Sequence, residues 1–163
     1  MKRTLSLVLV LVVLVGIFAG VPVSAVETSA LIFSLNSDGQ SYSVSGVSAY
    51  GDGNIVIPST YMDKPVTGIS EYAFNEEFKD TWSTGVRNVY IPDSVVSIGE
   101  NAFNKCSELV SVTGGNNVEN IGKYAFNECT NLQTAHLPSS LNTIGEYAFY
   151  GCTKLEISTF PDS

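Results

Sequence analysis

The sequence is poor in basic residues and contains a single histidine. Eight lysines and arginines stand against 16 aspartates and glutamates, which gives a net charge of −8. Nucleic acids are bound through basic side chains that neutralise phosphates, so this balance excludes a nucleic-acid partner and provides no basic patch for an anionic membrane. The one imidazole, His136, has no serine or cysteine beside it in sequence. The residues therefore do not predict an enzyme.

Cysteine is also scarce, and its spacing is regular. Cys106, Cys129 and Cys152 are each 23 residues apart. An odd number of cysteines cannot pair completely, and a metal site would need more thiols or histidines at close spacing. We interpret the three as small buried side chains stacked in a column, rather than as a disulfide or a set of metal ligands. The sequence predicts no metal site and no cofactor.

One long apolar run is present, and it lies at the N-terminus. It extends from Leu5 to Ala19, follows Lys2 and Arg3, and precedes the small residues of Val23-Ser24-Ala25. A charged start, an apolar stretch and a small-residue cleavage site are typical of a secretory signal peptide. We expect residues 1–25 to be removed. The mature protein would then carry a net charge of −10, would be secreted or held at the cell surface, and would have no contact with the membrane.

A stretch written three times at one spacing organises the rest of the chain. It begins at Ile98, Ile121 and Ile144, and each copy contains Ile-Gly, then Ala-Phe, then the cysteine and a leucine. A fixed period of roughly 20–29 residues predicts a solenoid of the leucine-rich type. Residues 54–163 would then hold about four repeats and the start of a fifth.

Residues 26–53 lack the repeat. Leu31–Leu35 and Tyr42–Val47 have the composition of short strands, and the residues between them favour a turn. They predict a β-hairpin that caps the first coil, because an open solenoid end exposes apolar core and unpaired strand edges.

Each regular coil is predicted to contain a short strand, a proline-marked turn, an Ile-Gly corner and a helical turn around Ala-Phe. Proline ends the strand because it has no N–H to donate to a sheet. We attribute the glycine to a corner conformation that other residues resist. Side chains 23 residues apart would then be neighbours in adjacent coils.

The unit L-x-x-[VA]-x-[IL]-P-x-S-[VL]-x-x-I-G-x-x-A-F-x-x-C-x-x-L resembles the BspA-type leucine-rich repeat family, from about Leu31 to Ser163. The resemblance implies an α/β solenoid with a parallel β-sheet on its concave face and short helical or 3₁₀ segments opposite. It also implies an exported or surface protein of bacteria or some protists, in a family where several members act as adhesins. It implies no catalytic residues.

Because the repeat fills the inward positions, recognition must use the outward ones. Tyr90, Thr113 and His136 share an outward column on the predicted sheet and are our candidate contact residues. Six extra residues within 76–85 form an inserted loop in the first repeat. That loop carries two further candidates, Phe78 and the single tryptophan, Trp82, which either anchor a partner or fold back onto the scaffold.

Three tyrosines form a second column on the opposite side of the predicted solenoid. They are Tyr72, Tyr124 and Tyr147, with Asn101 between the first two. They either contact a partner or stack on one another, and the sequence leaves both interpretations open.

Two functions follow from these residues. The leading hypothesis is a secreted or cell-surface, non-catalytic binding module of the adhesin type that recognises an extracellular protein or glycan. The alternative is a truncated structural repeat protein that acts through end-to-end self-association of an exposed end coil. It rests on Thr159–Ser163, which repeat the start of a coil just before the sequence stops.

Overall fold

The computed structural model describes residues 30–48, 51–76 and 85–156. The expected signal peptide, the inserted loop with Phe78 and Trp82, and most of the expected fifth repeat lie outside these ranges. The described residues form a β-solenoid of about four coils, in which successive coils pair through parallel strands. The predicted solenoid is therefore confirmed.

Eleven short strands occur in the described residues. In chain order they are β1 (Leu31–Leu35), β2 (Tyr42–Val47), β3 (Asn54–Val56), β4 (Thr60–Tyr61), β5 (Lys64–Ile69), β6 (Asn88–Ile91), β7 (Ser97–Ile98), β8 (Ser111–Gly114), β9 (Asn120–Ile121), β10 (Thr134–Ala135) and β11 (Thr143–Ile144).

A four-stranded parallel sheet has the order β10-β8-β6-β3. Its register keeps equivalent repeat positions side by side, since Val89 pairs with Val112 and Val112 pairs with Ala135. Side chains alternate between the two faces of a strand. In β6 this alternation buries Val89 and Ile91 and exposes Asn88 and Tyr90.

A second sheet, which the sequence did not predict, has the order β1-β2-β5-β7-β9-β11, with β4 antiparallel to β5. One of its strands, β7 (Ser97 and Ile98), lies where the sequence predicts an Ile-Gly corner. The expected hairpin of β1 and β2 is present, and β2 runs parallel to β5. The hairpin therefore covers the first edge of this second sheet.

The helical or 3₁₀ segments predicted around the Ala-Phe pairs are wrong. Across 30–48, 51–76 and 85–156 there is no α-helix, and residues 123–128 form consecutive turns. Tyr124 and Glu128 have φ angles of 55° and 57°, a left-handed conformation that interrupts a helix. The N–H groups instead bond to the next coil, as in the 2.7 Å bond from Phe103 N to Ala125 O. The turns of successive coils are thus joined by a third ladder of backbone hydrogen bonds, in addition to those of the two sheets.

Apolar side chains from successive coils fill the centre of the solenoid. Phe74, Phe103 and Phe126 are fully buried, and their rings stack with centroids 4.9 and 5.1 Å apart. Phe149 continues the stack at 5.2 Å. These distances are close to the spacing of hydrogen-bonded strands, so ring stacking and backbone pairing reinforce each other.

The cysteine column is confirmed. None of the three cysteines forms a disulfide; Cys106 and Cys129 are buried, and Cys152 is half-buried. Each Sγ donates a hydrogen bond to a phenylalanine carbonyl of the coil before it, over distances of 3.0, 3.1 and 3.0 Å. The neighbouring Cys152 thiol, together with burial, raises the pKa of Cys129, which keeps that thiol protonated and unreactive.

The glycine of each Ile-Gly pair serves a different purpose from the one predicted. Gly99, Gly122 and Gly145 are not among the residues with positive φ. A Cβ atom on Gly122 would instead lie 2.6 Å from the backbone nitrogen of Glu100, and one on Gly99 would lie 2.5 Å from that of Glu71. Glycine is required here because adjacent coils approach too closely for a side chain.

We expect Gly122→Ala to lower the free energy of unfolding by about 1–3 kcal/mol or more, since the added methyl group meets backbone rather than a movable side chain. Chemical denaturation followed by circular dichroism measures the change. Ser70→Ala is the matched control, because Ser70 holds the same repeat position and already carries a Cβ atom. Equal stability of the two variants would contradict this explanation.

A polar network holds the tip of the first hairpin. The Asp38 carboxylate accepts bonds from the Ser41 hydroxyl at 2.7 Å and from the Gln40 N–H at 2.8 Å. The Asn36 amide connects this turn to the second sheet, donating to Ser41 Oγ at 2.7 Å and to Thr67 Oγ1 at 3.1 Å. The Ser41 hydroxyl bond and the Gln40 N–H bond lower the pKa of Asp38 below its ordinary 3.8.

A carboxyl group with a lowered pKa stabilises the fold above its unfolded-state pKa, and this contribution is lost as the pH falls through the folded-state value. Asp38→Asn should therefore lower the melting temperature at pH 6 by more than it does well below pH 3.8, where the carboxyl group is protonated in the folded state as well. Ser41→Ala should show the same trend, because it removes the strongest donor. Thermal unfolding at both pH values tests this, and an effect of Asp38→Asn that is independent of pH would refute it.

Candidate functional site

The predicted contact residues Tyr90, Thr113 and His136 lie in one row on the outward face of the four-stranded sheet. Tyr90 in β6 pairs directly with Thr113 in β8. His136 follows β10 and donates its backbone N–H to Val112 O at 3.1 Å, which places it in register with Thr113. All three are exposed, and Tyr90 has 44% of its surface accessible. We call Tyr90, Thr113 and His136 the sheet-face row.

The ring of Tyr90 lies against Gly114, at the end of β8. Gly114 has a φ of +79°, and a Cβ atom there would first collide with the backbone oxygen of Ile91 and would also lie 3.1 Å from Tyr90 Cε2. The backbone of β6 therefore requires glycine at this position, and its absent side chain also leaves room for the tyrosine ring. This role was not predicted from the sequence.

A second row of polar side chains lies beside the sheet-face row. Asn88 Nδ2 donates to Asn54 Oδ1 at 2.7 Å, and Ser111 Oγ donates to Asn88 Oδ1 at 2.7 Å. These bonds were not predicted from the sequence. Amide and hydroxyl side chains at one repeat position are the signal that would have indicated them. The bonds hold the side chains in fixed orientations on the sheet surface.

His136 also borders a small, mainly apolar cavity between the two sheets. Its lining includes Val112, Gly115 and Phe149. Among the residues placed by the structure, no group of three or more His, Cys, Asp or Glu could hold a metal ion. No helix within the described ranges is long and apolar enough to cross a bilayer. The environment of His136 thus offers a surface contact rather than a ligand set.

Two members of the tyrosine column on the turn side stack on one another. The rings of Tyr124 and Tyr147 are 5.3 Å apart and nearly parallel. Tyr72 is half exposed, and the equivalent position in the next coil is Asn101. Phe78 and Trp82 lie outside the described residues, so their contact role stays a prediction.

Comparison with known proteins identifies the repeat. The family model for the BspA type leucine-rich repeat region matches six copies over residues 67–163, which is more than half of the chain. No curated protein matches the chain.

Three solved structures show the same fold. A leucine-rich repeat protein from Bacteroides capillosus is 29% identical with a TM-score of 0.63, covering 76% of this chain and 88% of that one. A leucine rich cell surface protein from Faecalibacterium prausnitzii is 27% identical with a TM-score of 0.62, covering 78% of this chain and 34% of that one. A leucine-rich repeat protein from T. pallidum is 22% identical with a TM-score of 0.62, covering 80% and 69% respectively.

The match to the family model agrees with the geometry, in which successive coils pair through two ladders of parallel strands and stack their cysteines and phenylalanines. On this basis the chain belongs to the BspA type leucine-rich repeat family.

Proposed function

We propose that the protein is exported and acts as a non-catalytic, adhesin-like binding module that recognises an extracellular protein or glycan through the sheet-face row. The observation that supports this most directly is the exposure of a phenol ring, a hydroxyl group and an imidazole side by side on one sheet. Tyrosine suits such a surface because its ring is apolar and its hydroxyl forms hydrogen bonds.

The rigidity of the surface supports the same proposal. Tyr90 and Thr113 belong to strands that are paired through backbone hydrogen bonds, and Asn88 and Ser111 beside them are held by side-chain bonds. Little conformational entropy of this face would therefore be lost on binding, which favours affinity.

Export is supported by the N-terminal sequence. Residues 1–25 have the order of charged, apolar and small residues that directs secretion. The similar protein from Faecalibacterium prausnitzii is described as a cell surface protein. Phe78 and Trp82 in the inserted loop would supply a second aromatic contact.

Self-association is a second candidate, and one observation favours it. Ile144 is 42% exposed, whereas its equivalents Ile98 and Ile121 are each 4% exposed beneath a following coil. β11 is the last strand of the second sheet in the described residues, and the backbone groups of such an edge strand, beside an exposed apolar side chain, are a template for pairing with another chain.

If self-association is the function, light scattering should show that the protein's mass rises with concentration and that Ile144→Asn returns it to the monomer. Under the binding-module proposal the mass stays constant at all concentrations and Ile144→Asn has no effect on ligand capture. The control is Val96→Asn, because Val96 is exposed as Ile144 is. Ile98, the equivalent of Ile144 in an earlier coil, is buried and cannot serve as a control.

The binding proposal predicts that replacing Tyr90 and His136 together by alanine weakens capture of the ligand by at least about ten-fold, because such anchors carry most of the energy of an interface. The ligand is first found by screening immobilised protein against extracellular-matrix proteins and glycans. Titration calorimetry or surface plasmon resonance then gives the dissociation constant.

Tyr72→Ala is the matched control, since it removes an exposed tyrosine from the turn side without touching the sheet. Wild-type affinity in the Tyr90/His136 variant, with its fold intact by circular dichroism, would exclude the sheet-face row as the binding surface.

A further inference from the structure

A second aromatic surface lies on the turn side of the last described coil. Tyr147 stacks on Tyr124, and the ring of Tyr150 stands at 85° to that of Tyr147 with centroids 5.9 Å apart. Tyr147 is 54% exposed and Tyr150 is 63% exposed. We call Tyr124, Tyr147 and Tyr150 the tyrosine patch.

Tyr150 departs from the repeat at a position where the scaffold favours asparagine. The equivalent residues are Asn75, Asn104 and Asn127. Asn104 is buried, and its Oδ1 accepts a 2.8 Å bond from Asn127 Nδ2. Tyr150 ends this ladder of amides and places an aromatic ring in solvent. A residue that breaks a structural rule without packing gain is a candidate for recognition.

Tyr147 also occupies an unfavourable position for its residue type. Its φ of 58° is left-handed, a conformation that costs a residue with a bulky side chain more than it costs asparagine or glycine. Asn101 has the same conformation two coils earlier, with a φ of 53°. Tyr72 and Tyr124 share this conformation, with φ angles of 58° and 55°, so the backbone accepts either residue type and the choice of tyrosine rests on its side chain.

Backbone bonds to the preceding coil hold the turn that carries both exposed tyrosines. The Tyr124 N–H donates to Glu146 O at 3.0 Å, and the Glu128 N–H donates to Tyr150 O at 2.7 Å. The Tyr150 N–H closes the turn by donating to Tyr147 O at 3.1 Å. The rings are thus presented on a preorganised turn rather than on a loop.

The surroundings of the patch favour a cation. The Lys123 ammonium lies 5.2 Å from the centre of the Tyr124 ring, so the stack already accommodates one positive group. Lys123 is paired with Glu146 at 2.8 Å, and the exposed Glu128 adds a further carboxylate. The ion pair with Lys123 lowers the pKa of Glu146, which keeps this carboxylate charged.

We propose that the tyrosine patch, with Glu128 and Glu146, binds a lysine- or arginine-bearing segment of a partner protein. The rings supply cation–π contacts, and the carboxylates supply hydrogen-bonded ion pairs. The net charge of −8 attracts such a segment and repels a second copy of this chain. This surface is separate from the sheet-face row and does not depend on the function proposed for it.

The test is a titration of a fluorescently labelled oligo-arginine peptide with increasing concentrations of the mature protein. The fluorescence anisotropy of the peptide measures binding. Tyr147→Asn and Tyr150→Asn are the variants, alone and combined. Tyr147→Asn installs the residue found at this position in one other coil, Asn101, and Tyr150→Asn installs the residue found in all three equivalent positions. The scaffold therefore accepts both changes, and neither changes the charge. We expect the double variant to weaken binding about five-fold or more.

Tyr90→Asn is the matched control, because it makes the same chemical change on the sheet face. A peptide of equal length with glutamine in place of arginine should not bind. If Tyr90→Asn weakens binding as much as the double variant, or if the double variant binds as tightly as the wild type, then attraction is a general effect of net charge and the proposal is wrong. Capture of the ligand of the sheet-face row is measured separately, so the two proposals fail independently.

Discussion

The structure depends on how closely each coil approaches the next. Backbone hydrogen bonds join successive coils on three sides: along the four-stranded sheet, along the second sheet, and along the turns between Ala-Phe pairs. The phenylalanine rings keep the same separation, 4.9–5.2 Å, as they stack through the centre. Where the backbone of one coil passes directly over the next, as at Gly122 and Gly145, only glycine leaves enough room. A single spacing therefore determines the bonding, the packing and the residue choice.

This spacing also separates the scaffold from the surface. Inward side chains are fixed by the stack, as Cys129 is by its bond to a carbonyl of the previous coil. Outward side chains are organised as rows, either bonded to one another, as Asn88 is to Ser111, or exposed, as Tyr90 is beside Thr113. Recognition by such a molecule is a matter of which residues occupy the exposed rows, and those residues vary while the scaffold stays constant.

Much of the architecture could be predicted because the period is written directly in the sequence. Cysteines and phenylalanines 23 residues apart indicated the stack, and alternation in Asn88–Ile91 indicated which side chains point outward. The second sheet was missed because its strands in the regular coils, β7, β9 and β11, are each two residues long and too short to show alternation. The turns were mistaken for helices because an Ala-Phe pair is compatible with both. In addition, Tyr124 and Glu128 are left-handed, but tyrosine and glutamate are not residue types that indicate this conformation.

The candidate surfaces were only partly visible in the sequence. The row of Tyr90, Thr113 and His136 follows from period and alternation alone. The perpendicular arrangement of Tyr147 and Tyr150 does not, because it depends on a turn that brings residues three apart into contact. The role of Gly114 likewise depends on the position of a ring in another coil.

The ladder of side-chain bonds between residues 23 apart restricts how such a chain changes length during evolution. Removing one residue between Asn120 and Asn127 would shorten the spacing of every pair that spans it, so that Asn127 would fall out of register with Asn104, and Thr143 with Asn120. Gain or loss of a complete coil would preserve the 23-residue spacing. A change in the number of coils is therefore compatible with this ladder, whereas a change of length inside a regular coil is not.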